Sequence, residues 1–191
     1  NEGAFLLEWL AHHRACGFTD FLVFSNDCND GTDLMLDRLQ EMGWLTHVRN
    51  DGPHEEGPQW AALKHADRHA LTRAADWVLV LDIDEFVNIH AGDRTVRALI
   101  AAAPQATAFP LTWRLFGNGG VLHLPEGIRI GKKPLVAEQV GHDGSLIALK
   151  VEQGIGDGNL RAAQQPILQG TAFRGIFVLG FIQLPPCLLL P

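Results

Sequence analysis

Apolar positions recur at three- and four-residue spacing in Phe5, Leu6, Trp9, Leu10 and His13, which predicts a first helix that Gly17 stops after Cys16. Phe21 to Phe24 is a short unbroken apolar run, the pattern of a buried strand. A cluster of turn formers, Ser25 to Thr32, follows it. Thr32 or Asp33 then caps a helix through Met42, with Met35, Leu39 and Met42 facing inward and Gly43 closing it. Trp44 to Val48 reads as an edge strand and Asn50 to Pro58, with two prolines and two glycines, as a loop. Gln59 to Ala75 reads as one helix, Trp77 to Leu81 as a central strand, and Thr95 to Ala103 as a helix stopped by Pro104. Ala106 to Leu111 is a further strand that Pro110 confines to a sheet edge or a strand end. Helices alternating with strands predict an α/β domain with a mostly parallel sheet flanked by helices.

The central strand ends in three carboxylates, Asp82, Asp84 and Glu85. A buried strand tolerates no unpaired charge, so these acids belong at its mouth. In extended backbone, residues two apart share a face, which brings Asp82 and Asp84 together. Paired hard oxygen ligands suit Mn²⁺ or Mg²⁺, ions that often carry a phosphate with them. In open α/β sheets ligands bind beyond the carboxyl ends of the strands. Both polar clusters, Asn26–Thr32 and Asp82–Glu85, fall there, which argues for one composite site.

Composition narrows the classes. A chain of 191 residues, 47% hydrophobic and 19% charged, has the make-up of a soluble, globular domain. A formal net charge of −7 argues against a nucleic-acid binder, and it means that an anionic substrate needs a local cation. Cys16, Cys28 and Cys187 form no C-x-x-C pair, which fits a reducing, cytoplasmic setting without a zinc site. No apolar run is long enough to cross a membrane, because Pro185 and Pro186 interrupt the apolar tail. The sequence starts at Asn1 without Met, as a fragment would.

No glycine-rich phosphate loop of either G-x-x-x-x-G-K-[ST] or G-x-G-x-x-G type occurs, so phosphates are expected to be held indirectly, through a metal. A haloacid-dehalogenase-like phosphatase, with Asp82 as nucleophile and Asp84 beside it, is an alternative. There Phe86 stands where that pattern has a hydroxyl or β-branched residue. A non-catalytic, degenerate fragment is a third reading.

Four ordered motifs carry a resemblance. Asn1-Glu-Gly-Ala-Phe-Leu-Leu-Glu-Trp-Leu-Ala-His-His13, Asn26-Asp-Cys-Asn-Asp-Gly-Thr32, Asp82-Ile-Asp-Glu-Phe86 and Trp113-Arg-Leu-Phe-Gly-Asn-Gly-Gly120 together resemble the bacterial family-2-type glycosyltransferases of the GT-A fold. That resemblance implies a GT-A-like (Rossmann-like) sheet whose first strand, which precedes the Asn-Glu pair in that branch, is missing here. It implies a nucleotide-sugar-binding core over 1–120. The remainder, 121–191, is expected to be a divergent or truncated acceptor-side part.

The implied activity is metal-dependent transfer of a sugar from a nucleoside-diphosphate sugar, of UDP or GDP type, to an unidentified acceptor hydroxyl, with inversion. By the family pattern Asp82 contacts the nucleotide sugar and Asp84, with Asp82, holds Mn²⁺ or Mg²⁺. Asn26, Asp27 and Asp30 meet the base and ribose, and Asn1 and Glu2 close the pocket. Glu85 is the candidate catalytic carboxylate, as an orienting group or as the general base; Glu126, His142 and Asp143 are the other bases considered. Asp30-Gly31-Thr32 equally fits a plain turn and helix cap. Gln59 and Lys64 read first as a solvated helix face, and His65 with His69 as surface residues.

Overall fold

The computed structural model of the chain describes residues 2–112 and, in their backbone, residues 145–150 and 177–182. Among the described residues six strands form one sheet in the order β2-β1-β6-β3-β5-β4. They are β1 (Asp20–Ser25), β2 (Thr46–Arg49), β3 (Trp77–Asp82), β4 (Ala108–Thr112), β5 (Ser145–Lys150) and β6 (Phe177–Ile182). The helices are α1 (Gly3–Ala15), α2 (Thr32–Glu41), α3 (Pro58–Arg68), α4 (Ala70–Ala74) and α5 (Val96–Ala102). Among the described residues no helix is long and apolar enough to cross a membrane.

Strand alternation splits the core into two layers. Phe21, Val23, Trp77, Leu79 and Leu81 face Leu6, Trp9 and Leu10 of α1, Leu36 and Leu39 of α2, and Val96 of α5. Leu22, Phe24, Val78 and Val80 point the other way, against Ala62, Leu63 and Ala66 of α3. The apolar runs of β1 and β3 are therefore unbroken because both faces are covered, as expected for central strands. β2 and β4 are the outer strands of the sheet, where Trp44–Val48 and the Pro110 segment were expected.

The mostly parallel sheet needs correction. β1 and β2 pair in parallel, whereas β1–β6, β6–β3, β3–β5 and β5–β4 pair antiparallel. The strands β1, β2, β3 and β4 do run in one direction. The two strands from the later part of the chain insert between them in the opposite sense. Among the described residues the architecture is a mixed α/β sheet with a small parallel portion.

Two helices depart from their expected form. α2 buries Thr32, Leu36 and Leu39, while Met35 packs at the margin of the core and Met42 is exposed. Its end explains why: Gly43 turns left-handed (φ 73°), and the amides of Gly43 and Trp44 donate to the Gln40 and Leu39 carbonyls. Met42 thus sits in a closing turn instead of on the inward stripe. Gln59–Ala75 is two helices, because His69 takes an extended conformation (ψ 142°) and its Nδ1 accepts the Leu71 amide to restart the chain as α4.

Candidate active site

β3 delivers Asp82 to the carboxyl edge of the sheet, and the chain then turns sharply. The Glu85 amide donates to the Asp82 carbonyl at 3.1 Å, and the Asp82 amide donates to Glu85 Oε2 at 2.8 Å. Asp82-Ile-Asp-Glu85 is therefore a closed turn, not the extended strand whose alternation was expected to pair the two aspartates. Ile83 anchors it in the core at 1% exposure, and Asp84 projects into solvent.

The turn concentrates negative charge. Asp82 is pushed up to about 8 by burial first, then by the carboxylates of Glu85, Asp84 and Glu2. Glu2 lies at the start of α1, far away in sequence, so the fold assembles this acidic group from two segments. Asn1 lies outside the described residues, as do Trp113–Gly120, Glu126, His142 and Asp143.

The loop after β1 meets the same edge. Thr32, 1% exposed, accepts the amides of Glu2 and Gly3 through Oγ1 at 3.2 and 2.9 Å. Neither Thr32 nor Asp33 caps α2; the cap position belongs to Gly31 at φ 84°. The Thr32 hydroxyl instead caps α1 from another element, because that helix has no capping side chain of its own. Gly3 suits this close approach, since a Cβ would stand 3.0 Å from Thr32 Oγ1, tighter than an ordinary contact.

Asp30 accepts the Thr32 amide at 3.0 Å, and bonds from the Thr32 hydroxyl and amide hold its carboxyl below the usual range. Its turn-forming role is thus directly visible. Asn26 donates to Asp27 Oδ2 at 3.0 Å, and its own Oδ1 is buried with no partner among the described residues. Asp27, at φ 45°, gives its amide to Asp51 Oδ1 at 2.7 Å, tying this loop to the one after β2.

Sequence reasoning missed a relay beneath that loop, buried at Ser25 and His47 and opening to solvent at Asp37. Ser25, the last residue of β1, lies 2.7 Å from His47 Nε2, and His47 Nδ1 lies 2.6 Å from Asp37 Oδ1. Arg49 then bridges Asp37 and Asp33. A carboxylate only accepts, so His47 carries its proton on Nδ1 when neutral and accepts the Ser25 hydroxyl at Nε2. Arg49 holds the carboxyl of Asp37 below the usual range, with His47 adding to it, and does the same for Asp33. Ser25, Asp37 and His47 stand on three separate elements, β1, α2 and β2, so no local spacing announces them.

Other candidates fall to structural roles. Lys64 pairs with Glu56 at 2.7 Å on an exposed face. His65 packs edge-on against Phe24. Among the described residues no group of three or more His, Cys, Asp or Glu side chains is arranged to hold a metal unaided. A cation at the acidic turn would therefore need oxygens from a bound ligand. Two carboxylates completed by phosphate oxygens are how Mg²⁺-type ions are commonly held, and such an ion would offset the burial and like-charge contacts that raise Asp82. To that extent the residues fit.

Comparison with known proteins sets the chain among the glycosyltransferases. It belongs to glycosyltransferase family 92, whose family model matches residues 2–115. A family 92 protein of Ricinus communis is 25% identical over 139 residues, covering 69% of this chain and 24% of the relative. A family 92 protein of Oryza sativa subsp. japonica is 24% identical over 135 residues, covering 69% and 22%. The chain thus spans about a quarter of the length of these curated relatives. No solved structure matches it significantly. The motif-based resemblance holds for the class, while the family matched is 92; these relatives are from plants and do not carry the family-2, bacterial assignment.

Proposed function

We propose that the chain is the nucleotide-sugar-handling part of a metal-dependent glycosyltransferase that moves a sugar from a nucleoside-diphosphate donor to an acceptor hydroxyl, with inversion. The observation that carries this reading is the acidic turn: a family 92 chain gathers Asp82, Asp84, Glu85 and Glu2 at one sheet edge, where Asp82 is pushed up to about 8. A charged carboxylate that is buried there, and set among like charges, is unfavourable unless a cation or a proton offsets it. Asp84 and Asp82 are the proposed ligands of Mn²⁺ or Mg²⁺, which when bound supplies Lewis-acid neutralisation of the departing diphosphate.

The chain's own residues have separate tasks in this account. Asn26, whose Oδ1 is buried without a partner among the described residues, is offered as the contact for the base, with Asp27 and Asp30 on the ribose side. Asn1 and Glu2 close the pocket. Glu85 is the candidate general base, its carboxylate fixed by the Asp82 amide. Residues 1–120 form the proposed donor core and 121–191 the acceptor side. The donor class is UDP- or GDP-type. A phosphatase that attacks through Asp82 is the alternative reading; it is weakened by Phe86, which stands where that pattern has a hydroxyl or β-branched residue.

The test is a thermal-shift screen of nucleoside diphosphates with and without Mn²⁺. Stabilisation by UDP or GDP only when Mn²⁺ is present supports the reading; equal stabilisation without the ion, or none with it, rejects it.

A further inference from the structure

The chain after Glu85 runs without regular structure as far as His90, so its backbone polar groups have no ladder to satisfy them. Three side chains of α1 take on that task. Trp9 Nε1 donates to the Glu85 carbonyl at 2.8 Å. His12 Nε2 lies 2.8 Å from the Val87 carbonyl, and the Val87 amide donates to His13 Nε2 at 3.3 Å. His13 Nδ1 lies 2.8 Å from the Trp9 carbonyl.

These contacts fix the protonation of both rings. A carbonyl only accepts, so His12 carries a proton on Nε2 and His13 on Nδ1, leaving His13 Nε2 as the acceptor for Val87. Adjacent histidines thus grip the amide and the carbonyl of one residue. His13 is fully buried, between Trp9 and Phe18 and beside Phe86, where only its neutral form is compatible with receiving an amide proton. Burial pulls it down to about 4, in agreement. The same helix begins at Glu2 and Gly3, whose amides rest on Thr32 of the loop after β1.

We infer that Trp9, His12 and His13 are positioning residues, and that α1 is a strut which sets the acidic turn at one side of the site and the Asp30–Thr32 loop at the other. None of the three touches a reacting atom in this account. They act through the backbone of Glu85 and Val87, which fixes where the carboxylates of Asp82, Asp84 and Glu85 point. Groups that orient metal-binding side chains commonly change cation affinity about 10–100-fold when removed.

The test compares His12→Leu, which removes the donor at a half-buried position, with His12→Gln, which keeps one. Trp9→Phe is a second removal that retains a ring. Amide hydrogen exchange is read at Asp82, Glu85 and Val87 against the β1 amides, and Mn²⁺ affinity is measured by calorimetry in the presence of UDP. The strut predicts at least a tenfold faster exchange at the turn with β1 unchanged, Mn²⁺ binding weaker by roughly 10-fold or more, and recovery of both in His12→Gln. Uniform acceleration that includes β1 would reduce the three residues to plain core packing and overturn the inference, as would unchanged exchange at the turn. The cation arm rests on the proposed glycosyl-transfer reading. Should wild-type protein bind no Mn²⁺, that reading fails, and the exchange arm decides the strut alone.

Discussion

Replacing Asp82 with asparagine keeps the shape of the acidic turn and removes the charge that burial and its neighbours oppose. A carboxyl raised from 3.8 to about 8 stays protonated in the folded chain while the unfolded chain has lost its proton. Folding therefore takes up a proton between these values, and stability falls as pH rises through that window, by about 1.4 kcal/mol per unit. His13 acts with the opposite sign. Its lowering from 6.5 to about 4 costs stability as pH falls through that range, because the unfolded chain binds a proton that the folded chain refuses. The two slopes cancel between about pH 4 and 6.5, so Asp82 acts unopposed only from about 6.5 to 8. That interval of about 1.5 units corresponds to a loss of about 2 kcal/mol.

Urea unfolding of the ligand-free protein at pH 6.5 and 8 reads the difference directly. Wild-type stability should drop by about 2 kcal/mol relative to Asp82→Asn over that interval. In the variant, His13 stands unmasked, and stability should fall by about 3 kcal/mol from pH 6.5 to 4 relative to the double variant Asp82→Asn/His13→Gln. Parallel profiles for wild type and Asp82→Asn between pH 6.5 and 8 would refute the acidic cluster as described.

Three further outcomes follow from the contacts around the site. Thr32→Val keeps the shape but leaves the amides of Glu2 and Gly3 unpaired, and should destabilise the fold by about 1–2 kcal/mol in chemical unfolding, with Thr32→Ser near wild type. Gly3→Ala should cost about 1 kcal/mol, since its Cβ would press on Thr32 Oγ1 at 3.0 Å; no loss would mean the helix start gives way freely. Ser25→Ala and His47→Phe should show a coupling energy of at least about 1 kcal/mol in a double-mutant cycle, because each leaves the other's polar atom buried. Strict additivity would dissolve the relay.

Much of the chain up to Thr112 was legible because periodicity and local capping report on the core directly. Phe21–Phe24 and Trp77–Leu81 are solid apolar runs because helices cover both faces of the sheet. Pro110 marked an edge strand because proline has no amide for a second neighbour. What was illegible depended on contacts distant in sequence. The antiparallel partners of β1 and β3 come from residues 177–182 and 145–150, and no pattern in β1 or β3 names its neighbour. The D-x-D spacing located the acidic site, yet its extended geometry failed because the Glu85 carboxylate and amide fold the segment back onto Asp82. His13 lay in phase with the buried stripe of α1, but its partner Val87, shared with His12, comes only after three strands have intervened.

Calorimetric titration of Mn²⁺ and UDP or GDP into wild-type protein and Asp84→Ala goes straight to whether a cation on the acidic turn holds a nucleoside diphosphate. We predict ion-dependent nucleotide binding to wild type, release of a proton as the ion displaces it from Asp82, and loss of both in Asp84→Ala. Nucleotide binding of equal strength without the ion, or unchanged in Asp84→Ala, would contradict the account.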